Sequence, residues 1–152
     1  MHDSRTVANR FLELAAEQGR VLTPMQLLKL VYIAHGWMLG LYRLSLINDE
    51  VQAWQYGPVI PRLYSATRDY HGKPVVNRLS APVSDDLVEI EADLVNQVYD
   101  RYGCESGPAL SRLTHMSGTP WSQCYKSGEF CTVIPTALIE DHYRRLAAPG
   151  TP

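Results

Sequence analysis

"LTPMQLLKLVYIAHGWMLGLY", residues 22–42, carries the clearest helix-start signal in this chain of 152 residues. Thr23 offers an N-cap hydroxyl, Pro24 suits the first helical position, and Gln26 is spaced to close a capping box. Beyond the cap, apolar side chains occupy most of the helical circumference rather than one stripe. The pattern therefore predicts a central, buried helix that runs to about Tyr42. Lys29 and His35 interrupt the run, which argues for a buried helix and against a membrane span. Gly36 and Gly40 sit four apart. Each costs a helix about 1 kcal/mol, so their spacing predicts that another backbone packs closely there.

The flanking segments supply partners for that helix. Residues 4–18 place Val7, Ala8, Phe11, Leu12, Leu14 and Ala15 at helical spacing, and Gly19 follows as a stop. Ser84, followed by Asp85 and Asp86, reads as the cap and first-turn acids of a helix that buries Leu87, Ile90, Leu94, Val95 and Val98 and ends at Gly103. Ser106 before Gly107-Pro108, Thr119 before Pro120-Trp121, and Pro135-Thr136 open three more helices, the last ending near Ala148. Between residues 44 and 56 the period changes. Val51, Ala53 and Gln55 alternate with Gln52, Trp54 and Tyr56, as in a short strand. Gly57-Pro58 is read as breaking that strand, Pro61 as starting a short helix to about Tyr70, and "HGKP" (71–74) as a loop. "VVNRLS" (75–80) is a second candidate strand. The expected architecture is mainly α: one compact domain of six to seven helices around a central apolar helix, with a small β element. It spans residues 1–148, and the tail at 149–152 is expected to fray.

Bulk composition narrows the function. A single domain of this length can bury roughly 70% of its unfolded surface. Fourteen basic and sixteen acidic side chains give a net charge of −2, the wrong sign for a sequence-independent grip on nucleic acid. Three cysteines, Cys104, Cys124 and Cys131, make an odd count without CxxC spacing, as for reduced thiols in a cytoplasmic protein. No segment has the layout of a secretory signal.

The chain is poor in chemistry. His35, His71, His115 and His142 are the histidines that draw attention. His35 lies inside the apolar helix, as a satisfied core histidine does, and His115 is placed to fix the loop after its helix. Cys104, His115, Cys124 and Cys131 are spaced too irregularly for a zinc site. Cys124 reads as mid-helix, and no cysteine has the helix N-terminus or basic neighbour that activates a thiolate. The acid pairs Asp49-Glu50 and Asp85-Asp86 read as solvated groups at a turn and a cap. No catalytic residue, metal or cofactor is expected, and the protein is not read as an enzyme. "AWQYGPVIPRLY" (53–64) remains, stiff and aromatic enough to be either a structural corner or a surface that grips a partner.

In order, "VANRFLELA" (7–15), "LTPMQLLKLVYIAHGWML" (22–39), "VQAWQYGPVIPRLY" (51–64), "LTHMSGTPW" (113–121) and "VIPTALIEDHY" (133–143) resemble the Panacea domain family. This is the antitoxin domain of SocA-type antitoxins and GepA-like phage-associated proteins. The resemblance implies a cytoplasmic, mostly helical antitoxin of a type II toxin–antitoxin system. It would neutralise a cognate toxin, encoded by an adjacent gene, through direct binding. One branch of the family acts instead as an adaptor that delivers the toxin to an ATP-dependent protease. Some relatives carry an extra DNA-binding domain, for which these residues leave no room, and neither nucleic acid nor membrane is expected as a partner. The family-motif residues are Lys29, Tyr32, Trp54, Tyr56, Gly57, Pro58, His115 and Trp121. A motif shared among domains that face different toxins suits common architecture, so all eight are read as structural, with Gly57-Pro58 turning the chain and Trp54 covering the central helix. The toxin-binding residues stay unknown, with the 44–50 loop and "HGKP" as the more idiosyncratic surface.

Overall fold

The structure, a computed structural model, describes residues 1–148; the tail expected to fray at 149–152 lies outside the described residues. Seven α-helices and a three-stranded sheet follow in the order α1 (Ser4–Glu17), α2 (Pro24–Tyr42), β1 (Gln52–Trp54), β2 (Gly57–Val59), α3 (Pro61–Thr67), α4 (Glu89–Tyr102), α5 (Gly107–His115), α6 (Pro120–Cys124), β3 (Thr132–Val133) and α7 (Thr136–Ala147). The fold is mainly α, as the capped apolar segments predict. Helix α2 starts as read. Thr23 Oγ1 accepts from the Gln26 amide at 3.2 Å, and Gln26 Oε1 accepts from the Thr23 amide at 2.9 Å, which closes the capping box.

Twelve residues of α2 are buried, from Leu27 through Leu39, and α1, α3, α4, α5 and α7 all pack against it. The two glycines explain how α7 approaches most closely. A Cβ on Gly40 would lie 2.7 Å from the Tyr143 backbone and 2.8 Å from the Arg144 nitrogen, and a Cβ on Gly36 would overlap the Tyr143 ring. Tyr143 fills the groove so opened. Its ring meets Trp37 edge-on at 5.2 Å and Tyr32 at 6.3 Å. Burial pushes the Tyr143 phenol well above its ordinary range. Tyr32 itself is a core residue at 1% exposure. His35 is buried in the same helix, and its Nδ1 accepts from the Leu46 amide at 3.3 Å.

The sheet corrects two expectations. Gly57-Pro58 does not break the strand; it forms the return strand of a hairpin, with Trp54 opposite Gly57 and Gln52 opposite Val59. The chain reverses two residues earlier, at Gln55-Tyr56. A third strand, β3, pairs antiparallel on the other side of β1, giving the order β2-β1-β3. Two residues are too few to signal a strand by alternation. Conversely, "VVNRLS" forms no strand and contributes one bridge, Val75 to Leu22. Within it Leu79 is claimed by a side chain instead: the Asn9 side-chain amide donates to the Leu79 carbonyl and accepts from the Leu79 N–H, at 2.9 and 2.7 Å.

The helix expected to be capped by Ser84 starts four residues later, at Glu89 with Val88 as its N-cap. Ser84 takes a left-handed backbone (φ 66°), which is incompatible with a cap. Consequently Leu87 precedes the helix and Ile90 is 43% exposed, while Leu94, Val95 and Val98 are buried as expected. Asp85 serves another helix. Its carboxylate accepts from the Asp3 amide at 3.0 Å and the Thr6 hydroxyl at 2.7 Å, at the start of α1. Asp49 does likewise, accepting from the Ser4 amide and hydroxyl at 3.1 and 2.7 Å. These acids are therefore not merely solvated. Both answer the free N–H groups and positive end of α1 from positions far along the chain. His2 completes the cluster, with one ring nitrogen 2.7 Å from Asp85 and the other 2.7 Å from Glu91. Asp3 caps α1, and the Arg5 guanidinium holds its carboxyl down at about 2.

Two substitutions test this packing. Leu30→Ala, at a fully buried site, is expected to cost about 2–5 kcal/mol of unfolding free energy. Gly40→Ala should gain up to about 1 kcal/mol of helix propensity yet lose more, about 1–3 kcal/mol, by forcing α7 outward. A lowered denaturant midpoint for Gly40→Ala checks the close approach; a raised one would show that α7 yields.

Candidate functional site

The hairpin places the aromatic motif at one edge of the molecule, and β2 is the outer strand. An open strand edge exposes unpaired backbone groups, but here they are capped. Pro58 has no N–H to leave unpaired. Its carbonyl accepts from Lys29 Nζ at 2.9 Å, and the Tyr56 carbonyl accepts from the same ammonium at 3.3 Å. Ser111 of α5 also donates its hydroxyl to Tyr56 O, at 2.6 Å. Gly57 has φ +117°, a conformation that favours glycine, and an added Cβ would come 2.9 Å from Lys29 Nζ. A lysine in the middle of the central helix thus reaches the hairpin and holds it to α2.

Lys29 is unusual in what it lacks. It is 3% exposed, and no carboxylate pairs with it among the described residues. Two carbonyls occupy two of its three N–H donors. Burial alone lowers its pKa from 10.5 to about 8.

The other motif residues knit α5 and α6 to the hairpin. Trp121 Nε1 donates to the Trp54 carbonyl at 2.6 Å, and its indole stacks on Tyr125 at 4.7 Å. His115 packs edge-on against Trp121 at 5.2 Å, and its Nδ1 closely approaches the Ser111 carbonyl. That bond lies within its own helix, so His115 reaches the following segment through the Trp121 ring. Trp54 meets Tyr64 in a T-shaped contact with ring centroids 4.9 Å apart, and its Nε1 donates to Gln52 at 3.0 Å. Tyr56, at the turn, is 65% exposed.

Two clefts of about 520 Å³ each share Trp54 and Gln55 as lining. One is walled by Met25, Leu28, Tyr56 and Tyr64, with Lys29 among its lining and Arg68 and His71 beside it. The other is lined by Tyr125, Glu129, Phe130 and Cys131, and Phe130 is 88% exposed. The motif turns the chain as a corner, and the two clefts lie beside it. The "HGKP" segment joins it, since His71 and Gly72 line the first cleft. In the 44–50 loop Leu46 and Ile47 are buried and Asp49 is bonded to α1, while Leu44, Asn48 and Glu50 are exposed.

Little else resembles chemistry. No group of three or more His, Cys, Asp or Glu side chains is placed to hold a metal among the described residues, and no helix there is long and apolar enough to cross a membrane. All three cysteines are free. Two details correct the sequence reading: Cys124 is the last residue of α6 rather than mid-helix, and Cys104 does have a basic neighbour, Arg20 Nη1 at 2.7 Å. Eighty-four positions separate that pair, so no local pattern could reveal it.

The buried ammonium predicts a pH dependence. Between pH about 8 and 10.5 the unfolded chain keeps the Lys29 proton that the folded chain has lost, so stability rises with pH across that window. Below it, both states are charged and the fold bears the full cost of burying the charge. The unfolding free energy of the wild type relative to Lys29→Met should therefore climb from pH 8 to 10.5 in chemical denaturation. A constant difference would mean that the ammonium is solvated.

Comparison with known proteins identifies the family. The profile described as antitoxin SocA-like, Panacea domain matches residues 27–122, more than half of the chain and the whole span from Lys29 to Trp121. The Antitoxin SocA of Caulobacter vibrioides (strain NA1000 / CB15N) is 32% identical, over 78% of this chain and 68% of that protein. No solved structure matches the chain. The protein that folds its hairpin onto Lys29 thus belongs to the SocA-like antitoxin family and carries its Panacea domain.

Proposed function

We propose that this protein is the antitoxin of a type II toxin–antitoxin pair and neutralises a toxin encoded by an adjacent gene through direct binding in the cytoplasm. The family match across residues 27–122 carries this reading. The surface supports it physically. Exposed Tyr56, Phe130 and Tyr64 flank Trp54 at one edge, and aromatic side chains dominate the energetics of protein interfaces. The motif residues meet backbone carbonyls and one another's rings rather than forming a nucleophile–base pair, which favours a binding module over an enzyme.

Co-expression tests the reading. The protein should co-purify with its neighbour's product and restore growth at antitoxin levels at least equal to those of the toxin. Restoration should persist in cells that lack the major ATP-dependent proteases. The complex should bury about 1,200–2,000 Å² in total. Rescue that is catalytic in antitoxin and vanishes with a protease would replace neutralisation by the adaptor role, and a neighbour that never binds would sink both. The triple variant Cys104→Ser, Cys124→Ser, Cys131→Ser should rescue as well as the wild type while folded; its failure would point to thiol chemistry.

A further inference from the structure

The cleft beside Trp54 has a charge that the chain as a whole does not. Acids outnumber bases sixteen to fourteen overall, yet no Asp or Glu lines this cleft, and Lys29, Arg68 and His71 do. Most of its remaining walls are apolar or aromatic, Met25, Leu28, Val59, Trp54 and Tyr64 among them, and Gln55 and Thr67 add neutral polar groups. Its volume of about 520 Å³ falls within the roughly 300–1,000 Å³ typical of ligand pockets. Lys29 keeps one N–H beyond those given to Tyr56 O and Pro58 O, and no carboxylate of the described chain answers it. A buried, hydrogen-bonded cation without a counter-ion, set in an apolar cleft, is matched by an apolar group that brings its own carboxylate.

The backbone decides how such a group enters. An extended segment cannot add itself as a further strand beside β2, because Pro58 offers no N–H and its carbonyl is already taken. An internal Asp or Glu would drag peptide groups on both sides into largely apolar surroundings, where Gln55 and Thr67 are the neutral polar side chains within the lining. A chain terminus brings one peptide group, an apolar side chain and the carboxylate in a single residue. The geometry points to this cleft as the docking site for the C-terminal carboxylate of the toxin, delivered on an apolar last residue to Lys29 with Arg68 at the rim. The assignment rests on the antitoxin reading for the identity of its partner, though the cleft chemistry can be examined without any toxin.

The probe is acetyl-Ala-Leu-Phe with a free C-terminus, titrated into the full chain while amide resonances of Tyr56 and Gly57 and the Trp54 indole N–H are followed by NMR. Saturable shifts confined to the cleft are expected. The C-terminal amide of the same peptide should bind at least roughly tenfold more weakly, the size of one charge-assisted hydrogen bond. Arg68→Glu, at an exposed site, should weaken the acid form and leave the fold intact, and Lys29→Met should abolish the preference for acid over amide. Equal affinity of acid and amide would overturn the assignment, as would shifts elsewhere on the surface. Equal binding of acetyl-Leu-Glu-Phe amide would also overturn it, in favour of an acidic side chain. In the purified toxin complex the free-acid peptide should compete with the toxin; binding without competition would remove the toxin terminus as occupant. If the peptide fails while the wild type still rescues growth, only the cleft assignment falls. If the peptide binds but the neighbour never does, the antitoxin reading falls alone.

Discussion

A nineteen-residue helix that is apolar on most sides has to be covered from every direction, and that requirement organises this molecule. Five of the other helices are recruited to cover α2, and the sheet edge closes the remaining approach. Because side-chain layers would hold α7 farther away, Gly36 and Gly40 remove them and let Tyr143 and its backbone settle directly on the α2 surface. The helix gives up intrinsic propensity at two positions and gains a tightly packed aromatic group, Tyr32, Trp37 and Tyr143, in return.

Lys29 is the point at which that core meets the surface. A lysine inside a buried helix is costly unless its ammonium is hydrogen-bonded. Here two carbonyls of the β2 edge supply the bonds, and the same bonds close a strand edge that would otherwise be open to pairing. One side chain thereby holds the hairpin, protects its edge and leaves a positive charge in an apolar cleft. The structural and binding readings of the aromatic motif are compatible for this reason. The Trp54 carbonyl accepts from Trp121 and the Tyr56 carbonyl from Lys29 and Ser111, while Trp54 still lines both clefts and Tyr56 lines one.

The far side of α1 is built on a different principle. Asp49, Asp85 and Asp3 surround its first turn, and Arg5, Arg62 and His2 tie those acids to one another and to Glu91. The segment between α3 and α4, which has little regular structure, is fixed by these charges and by Asn9 acting on the Leu79 backbone. Polar side chains thus do for this segment what strand pairing would have done.

The sequence alone determined that the fold is mainly helical and where most of its helices start, α4 excepted. Thr23, Ser106 and Thr119 cap where their spacing said they would, and the burial of α2 follows from its composition, because capping and amphipathicity are local properties written within one or two turns. The need for a close neighbour at Gly36 and Gly40 was legible too. Only the tertiary structure decided which backbone that neighbour would be. It also decided that Asp85 serves α1 rather than its own helix, that His2 lies between two carboxylates, and that Arg20 meets Cys104. Each of those pairings joins residues 79 or more positions apart, and no local pattern encodes such distances. The hairpin was misread for a related reason. Gly57-Pro58 carries a breaker signal locally, yet a strand whose outer edge is capped by Lys29 needs no proline N–H, so tertiary contact overrode the local preference.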